Sequence, residues 1–341
     1  MQVTIFGAGA IGGTIGAFAT QAGHDITLVD IVPEHVQAMN EHGLHIIGGR
    51  GDHFYPVKAK LTNEVTGPLG VVFLCVKGHF TEGAMQQIAP MLAPDGYVVS
   101  IQNGLNEEII ARAIGAERTV GCFIHFGADY LEPGVIQFAN EQVIHIGELD
   151  GSITPRLSDL ETVLSSVMPV SITTNIWGYL WGKLVYAAMA FAISSVDGTV
   201  QEVLSDPRGR RVALSAAAEA HAVAAAQGYP LEMIGNFNPN VFKRQPGWET
   251  AANQVLDELG AEMQDSFKPH MGIWMDLKVK RRKTEIDMQS GPIVQAGKRL
   301  GIPAPVNDKV VEVIHEIEEG KRGMGWENLD VLAAAIPVEQ P

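Results

Sequence analysis

Val3-Thr4-Ile5-Phe6-Gly7-Ala8-Gly9-Ala10-Ile11-Gly12 is the stretch from which the architecture is read. Four β-prone residues run into G-x-G-x-x-G, and a helical pattern, Ile11–Ala22, follows. Gly7 permits a tight turn, Gly9 lets the backbone approach a pyrophosphate, and Gly12 lets helix and strand pack closely. The helix start, with Ala10 and Ile11, offers unpaired N–H groups and partial positive charge to an anion. The second strand, Thr27-Leu28-Val29-Asp30, ends in a carboxylate 18 residues after Gly12. A carboxylate there accepts hydrogen bonds from both ribose hydroxyls of NAD and repels the 2′-phosphate of NADP. The expectation is a dinucleotide site with NAD rather than NADP, Asp30 being otherwise an ordinary surface acid.

Outward from this loop, Val71–Cys75, Tyr97–Ile101 and Thr119–Ile124 are short, apolar and largely β-branched. Strands alternating with helical spacing predict a parallel sheet covered on both faces. The Gly-rich stretch between Leu44 and Leu61 reads as an antiparallel excursion or loop. Pro133-Gly134 is expected to open a hairpin over Val135–Ile146, Pro155 to start a helix, and Val170–Thr174 to be the last strand. Helical patterns then dominate: Trp177–Ser194, Pro207–Gln227, Trp248–Gln264, Lys283–Leu300 and Asn307–Lys321. The fold class is α/β, a Rossmann-type doubly wound sheet over residues 1–174, followed by an all-helical substrate and dimerisation domain over 175–341.

Composition narrows the function. Lys plus Arg total 24 and Asp plus Glu 39, a net charge of -15 over 341 residues. That balance argues against nucleic acid and anionic membranes as partners. The longest apolar stretch, Leu184 to Val196, is shorter than the ~20 residues of a membrane span. Two cysteines cannot make a disulfide framework, and no charged leader precedes the first strand. A cytoplasmic protein is expected. The eleven histidines show no ligand spacing, so no metal is expected.

In an open parallel sheet, ligands bind beyond the carboxyl ends of the strands. Val76-Lys77 and Gln102-Asn103-Gly104 fall there, and both are expected against the nicotinamide half of the cofactor. His79 and His125 also fall near strand ends and receive no role. In the helical half, Lys183 stands alone in an apolar helix, Trp177-Gly178-Tyr179-Leu180-Trp181-Gly182-Lys183-Leu184. Such a lysine is either snorkelling or working. Thr284-Glu285-Ile286-Asp287 closes a basic stretch, Lys278–Lys283; it reads as a capping-box-like helix start or as a carboxylate poised at a site.

Taken in order, Gly7–Gly12, Val76-Lys77, Gln102-Asn103-Gly104, Trp181-Gly182-Lys183 and Thr284-Glu285-Ile286-Asp287 resemble the ketopantoate reductase (2-dehydropantoate 2-reductase) family. The resemblance implies a Rossmann domain, a helical domain like that of 6-phosphogluconate dehydrogenase relatives, and a cleft between them. It implies Lys183 as general acid, Glu285 near the nicotinamide ribose and substrate hydroxyl, Asn103 beside nicotinamide and substrate, and Lys77 near the cofactor. Lys183 and His270 are expected on the substrate side.

The chain also departs from the family. Asparagines usual four and eight residues after the catalytic lysine are Ala187 and Phe191 here. The Ser-Ser-Met-like run reads Lys268-Pro269-His270-Met271-Gly272-Ile273-Trp274-Met275-Asp276. One extra residue separates Asp276 from Glu285. A pocket with Phe191 and Trp274 would suit another acid. The expected activity is NAD(P)-dependent hydride transfer between nicotinamide and a small 2-oxo or 2-hydroxy acid, in a homodimer. The alternatives are a dehydrogenase for a different hydroxy or sugar acid, and a non-catalytic dinucleotide sensor.

Overall fold

The computed structural model describes residues 1–264 and 269–337. Lys268 and the last four residues lie outside them. The chain forms two compact units, Met1–Ile176 and Trp177–Pro341.

The first unit is built on an eight-stranded sheet. Its strands are β1 (Gln2–Phe6), β2 (Asp25–Asp30), β5 (Lys58–Leu61), β6 (Leu69–Leu74), β7 (Leu92–Ser100), β8 (Thr119–Phe123), β11 (Ile144–Glu148) and β12 (Val170–Ile172). The order is β12-β11-β8-β7-β6-β1-β2-β5. All neighbours are parallel except β11 against β8. It is a Rossmann-like mixed sheet.

Strand residues alternate between the two faces, because successive side chains leave a strand on opposite sides. Val3, Ile5, Phe73 and Val99 join one core with Ile15 and Phe18 of α1 (Ala10–Gln21) and Leu157 and Leu160 of α5 (Pro155–Leu164). Phe6, Val72, Leu74 and Val98 join the other with Met85 and Ile88 of α3 (Thr81–Ile88) and Ile110 of α4 (Glu107–Ile114). Burial on both faces is why these strands read as nearly continuous apolar runs.

A second sheet has four strands in the order β4-β3-β10-β9: β3 (Leu44–Gly48), β4 (His53–Tyr55), β9 (Ala128–Glu132) and β10 (Val135–Phe138). It changes two expectations. The 44–61 excursion is antiparallel only over β3 and β4, after which β5 returns to the main sheet. Pro133-Gly134 is the turn between β9 and β10, not the opening of a hairpin over Val135–Ile146: β10 pairs in parallel with β3, and β11 lies in the other sheet.

The second unit is helical. It comprises α6 (Ile176–Ile193), α7 (Val200–Ser205), α8 (Pro207–Ala226), α9 (Trp248–Gln264), the short α10 (Gly272–Trp274), α11 (Ile286–Leu300), α12 (Pro305–Glu318) and α13 (Asn328–Ala334). By length and composition α6 could cross a membrane, but 78% of it is buried inside the structure, as in a core helix. Pro207 and Pro305 stand at the first positions of α8 and α12, where a missing N–H costs nothing. No capping box forms at Thr284. Its hydroxyl accepts the Ile286 N–H at 3.3 Å and donates to Glu318 of α12, leaving Glu285 as the N-cap residue.

Candidate active site

Phe6 stands opposite Leu74, Leu74 opposite Ser100, and Phe6 opposite Val29. Parallel register therefore delivers Gly7, Asp30, Lys77 and Asn103 to the carboxyl edge of one sheet, where such folds bind ligands.

The glycine loop is shaped as its sequence requires. Gly7 has φ +93°, and a Cβ there would lie 2.8 Å from the Val76 nitrogen. A Cβ on Gly12 would lie 2.1 Å from the Gly7 carbonyl oxygen. A Cβ on Gly9 would meet nothing within 4 Å. Gly9 caps α1 without a side-chain hydrogen bond, and no acidic residue occupies the first turn, Ala10 and Ile11 included. Open space before uncapped N–H groups suits a diphosphate.

Inside the unit the loop is tied down. The Gly7 and Ala8 N–H groups both donate to the Val29 carbonyl, at 2.8 and 3.2 Å. The Ala8 carbonyl bonds His35 Nε2 at 2.8 Å, and the Gly134 N–H bonds His35 Nδ1 at 2.8 Å. His35 lies on α2 (Pro33–His42) and is buried. Nothing in the sequence marks it, since it sits beside the buried Val36 like any other residue of an amphipathic helix. Asp30 turns the chain: its Oδ1 accepts the Ile31 and Val32 N–H groups at 2.8 and 3.1 Å. Ile31-Val32-Pro33-Glu34 follows, without a cation.

Gln102 is not placed as expected. It is buried, and its Nε2 donates to the Val76 carbonyl at 2.7 Å and to Thr81 Oγ1 at 2.8 Å. Thr81 donates on to Asn106 Oδ1, and Asn106 Nδ2 to the Asn103 carbonyl, each at 2.8 Å. Gln102 thus positions Asn103 rather than facing a ligand. Neither Thr81 nor Asn106 carried a sequence signal. Next along, Glu107 is fully buried at the start of α4, and loss of water pushes its carboxyl up to about 7.

In the helical unit, Lys183 lies half-buried midway along α6 between buried Trp181 and Leu184. It shares a face with Tyr179 and Tyr186, at i−4 and i+3. Burial pushes the Tyr186 phenol up to about 12. Ala187 and Phe191, on the same side of α6, are 4% and 0% exposed. Phe191 is therefore core packing, which corrects its expected place in a pocket.

The His270 ring stacks on Trp274 at 3.8 Å between centroids, and its Nδ1–H donates to the Gly198 carbonyl at 3.1 Å. Trp274 Nε1 and Lys278 Nζ both donate to Asp197. Met275–Val279 forms a π turn, in which the Lys280 N–H reaches back to the Met275 carbonyl. A π turn takes up one additional residue without unwinding the helix. Arg281 follows at φ 47°, and Arg282 returns to Asp276. Among the described residues no group of three or more His, Cys, Asp or Glu could hold a metal ion.

Residues 3–151 match the family model described as ketopantoate reductase PanE/ApbA, and residues 175–318 match the model of its C-terminal part. The 2-dehydropantoate 2-reductase of Archaeoglobus fulgidus is 27% identical over 324 residues, 94% of this chain and 98% of that protein. That of Pyrococcus abyssi is 29% identical over 315 residues, 90% of this chain and 94% of that protein. A PanE/ApbA family ketopantoate reductase from Ralstonia eutropha superposes with TM-score 0.78 at 25% identity, covering 94% of this chain and 99% of that one. D-mandelate dehydrogenase with NADH and anilino(oxo)acetate superposes with TM-score 0.79 at 23% identity, with the same coverage.

Proposed function

The chain belongs to the ketopantoate reductase family as a divergent member, an oxidoreductase of CH–OH groups with a nicotinamide cofactor, and on that footing we propose that it moves hydride reversibly between NAD and a small 2-oxo or 2-hydroxy acid. The observation behind the chemistry is Lys183, the only charged side chain in the apolar helix Ile176–Ile193.

The loop from Gly7 to Gly12 holds the diphosphate, with Ala10 and Ile11 giving backbone N–H groups. Asp30 holds the adenosine ribose through Oδ2, since its Oδ1 is engaged in the turn. Residues 30–34 hold two carboxylates and no cation, which supports NAD over NADP. When bound, the nicotinamide supplies or receives the hydride. Asn103, fixed from behind by Asn106, and Lys77 orient its ring and the substrate.

Lys183 as ammonium hydrogen-bonds the substrate carbonyl, stabilises charge developing on that oxygen and delivers the proton. In the reverse direction its neutral amine accepts the alcohol proton. Glu285 orients the substrate hydroxyl or the ribose. His270, with Nδ1–H given to Gly198, has Nε2 for the substrate. Ala187, where the family usually has asparagine, favours an acid other than ketopantoate, because it offers no amide. We assign a homodimer as the assembly.

The test is NADH absorbance during incubation with a panel of 2-oxo acids, repeated with NADPH. Consumption of NADH with at least one acid supports the proposal. NADH that binds but is consumed with none favours the sensor.

A further inference from the structure

We propose that His35 is a positioning residue for the cofactor: by holding the Ala8 carbonyl inward, it turns the Gly9 N–H outward to the diphosphate. The proposal rests on the glycine loop being the dinucleotide site.

The imidazole is 1% exposed and engaged at both nitrogens. A backbone N–H can only donate, so Nδ1 accepts from Gly134, and the proton sits on Nε2, which donates to Ala8. One neutral tautomer satisfies both bonds. The rings of His35 and Tyr130, on β9, meet in a T-shaped contact with centroids 5.0 Å apart.

The peptide joining Ala8 to Gly9 is planar and trans, so its carbonyl and its N–H point in opposite directions. Fixing the carbonyl at a buried imidazole fixes the N–H away from the interior. The two preceding N–H groups, of Gly7 and Ala8, are already committed to Val29. Gly9 is therefore the first donor the loop can aim at an anion, at the residue whose added Cβ would meet nothing within 4 Å. A histidine kept only to join α2 to the β9–β10 turn would not need Ala8.

Two substitutions separate the bonds. The longer amide of His35→Gln can still donate to Ala8, whereas His35→Asn can accept from Gly134 but is too short for Ala8. NADH binding is read by fluorescence, beside melting temperature and kcat at saturating cofactor. The expected result is a Kd within ~3-fold of wild type for His35→Gln and raised ~10-fold or more for His35→Asn, with kcat within ~2-fold in both. Equal Kd values for the two variants, at wild-type strength or weakened alike, overturn the proposal.

Should either variant fail to fold, nitrogen-15 spectra of the wild type decide. An Nε2–H tautomer and a Gly9 amide that shifts on adding NADH uphold the proposal; an Nδ1–H tautomer or an unmoved Gly9 amide ends it. A wild type that binds neither NADH nor NADPH overturns the underlying dinucleotide reading instead, before any variant is made.

Discussion

Asn307 gives both its backbone N–H, at 3.0 Å, and its side-chain Nδ2, at 2.9 Å, to Oε2 of Glu219, 88 residues away in the sequence. Oε1 of the same carboxylate accepts the Val306 N–H. A buried carboxylate on α8 thus closes the first turn of α12, whose leading N–H groups have no partner within their own helix. Glu219→Ala strands the backbone N–H groups of Val306 and Asn307 in the interior, leaving Asn307 Nδ2 with only the Ala216 carbonyl, and should cost about 2–4 kcal/mol, lowering the urea midpoint. Glu219→Gln, which keeps one oxygen acceptor, should cost less. Equal midpoints for Glu219→Ala and wild type would show that the cap contributes nothing.

Removing the α6 ammonium should separate chemistry from binding. Lys183→Ala is expected to reduce turnover ~10²-fold or more while NADH affinity stays near wild type. Steady-state kinetics beside a fluorescence titration make the comparison. Turnover close to wild type would take Lys183 out of the reaction.

Charge and geometry at Asp30 can be separated, because its Oδ1 shapes the turn while, on the proposed reading, the negative charge selects the cofactor. Asp30→Asn keeps an oxygen for the Ile31 and Val32 N–H groups. Its preference for NADH over NADPH in kcat/KM should shrink ~10-fold, with little change in melting temperature. An unchanged ratio would place the discrimination elsewhere.

Glu107 sets a pH dependence of stability. Its carboxyl is held at about 7 in the folded protein against an ordinary 4.5. Across that window the native state binds more protons than the unfolded chain, so stability falls as pH rises. Below it both states are protonated and nothing is lost; above it the full penalty, roughly 3 kcal/mol, is present. Glu107→Gln, neutral throughout, should therefore resist urea better than wild type at about pH 8, with the difference gone at about pH 4. A gain of equal size at both pH values would assign it to packing.

What could be read from the sequence follows from where information is local. The glycine loop and the runs ending at Leu74 and Ser100 are legible because a strand buried on both faces needs apolar residues at every position. The four-stranded sheet is not legible in the same way: His45 pairs with Val135, and neither segment contains a sign of the other. The six and seven residues of α7 and α13 are too short to establish a helical period. The π turn at Met275–Val279 is not legible either, because no residue type marks an i→i+5 hydrogen bond. Lys183, Asn103 and Glu285 stood out by chemistry. His35, Thr81 and Asn106 did not, because a polar side chain satisfied in the interior looks in sequence like any other polar residue.

The place of β10 beside β3 bears on how the protein is made. The glycine loop and β3 are made well before β10, so β3 must wait about 90 residues for its parallel neighbour, and His35 waits for Gly134. Until then one flank of the nascent sheet stays open. A pause in translation before residue 138 would therefore leave that flank exposed to chaperones or to aggregation.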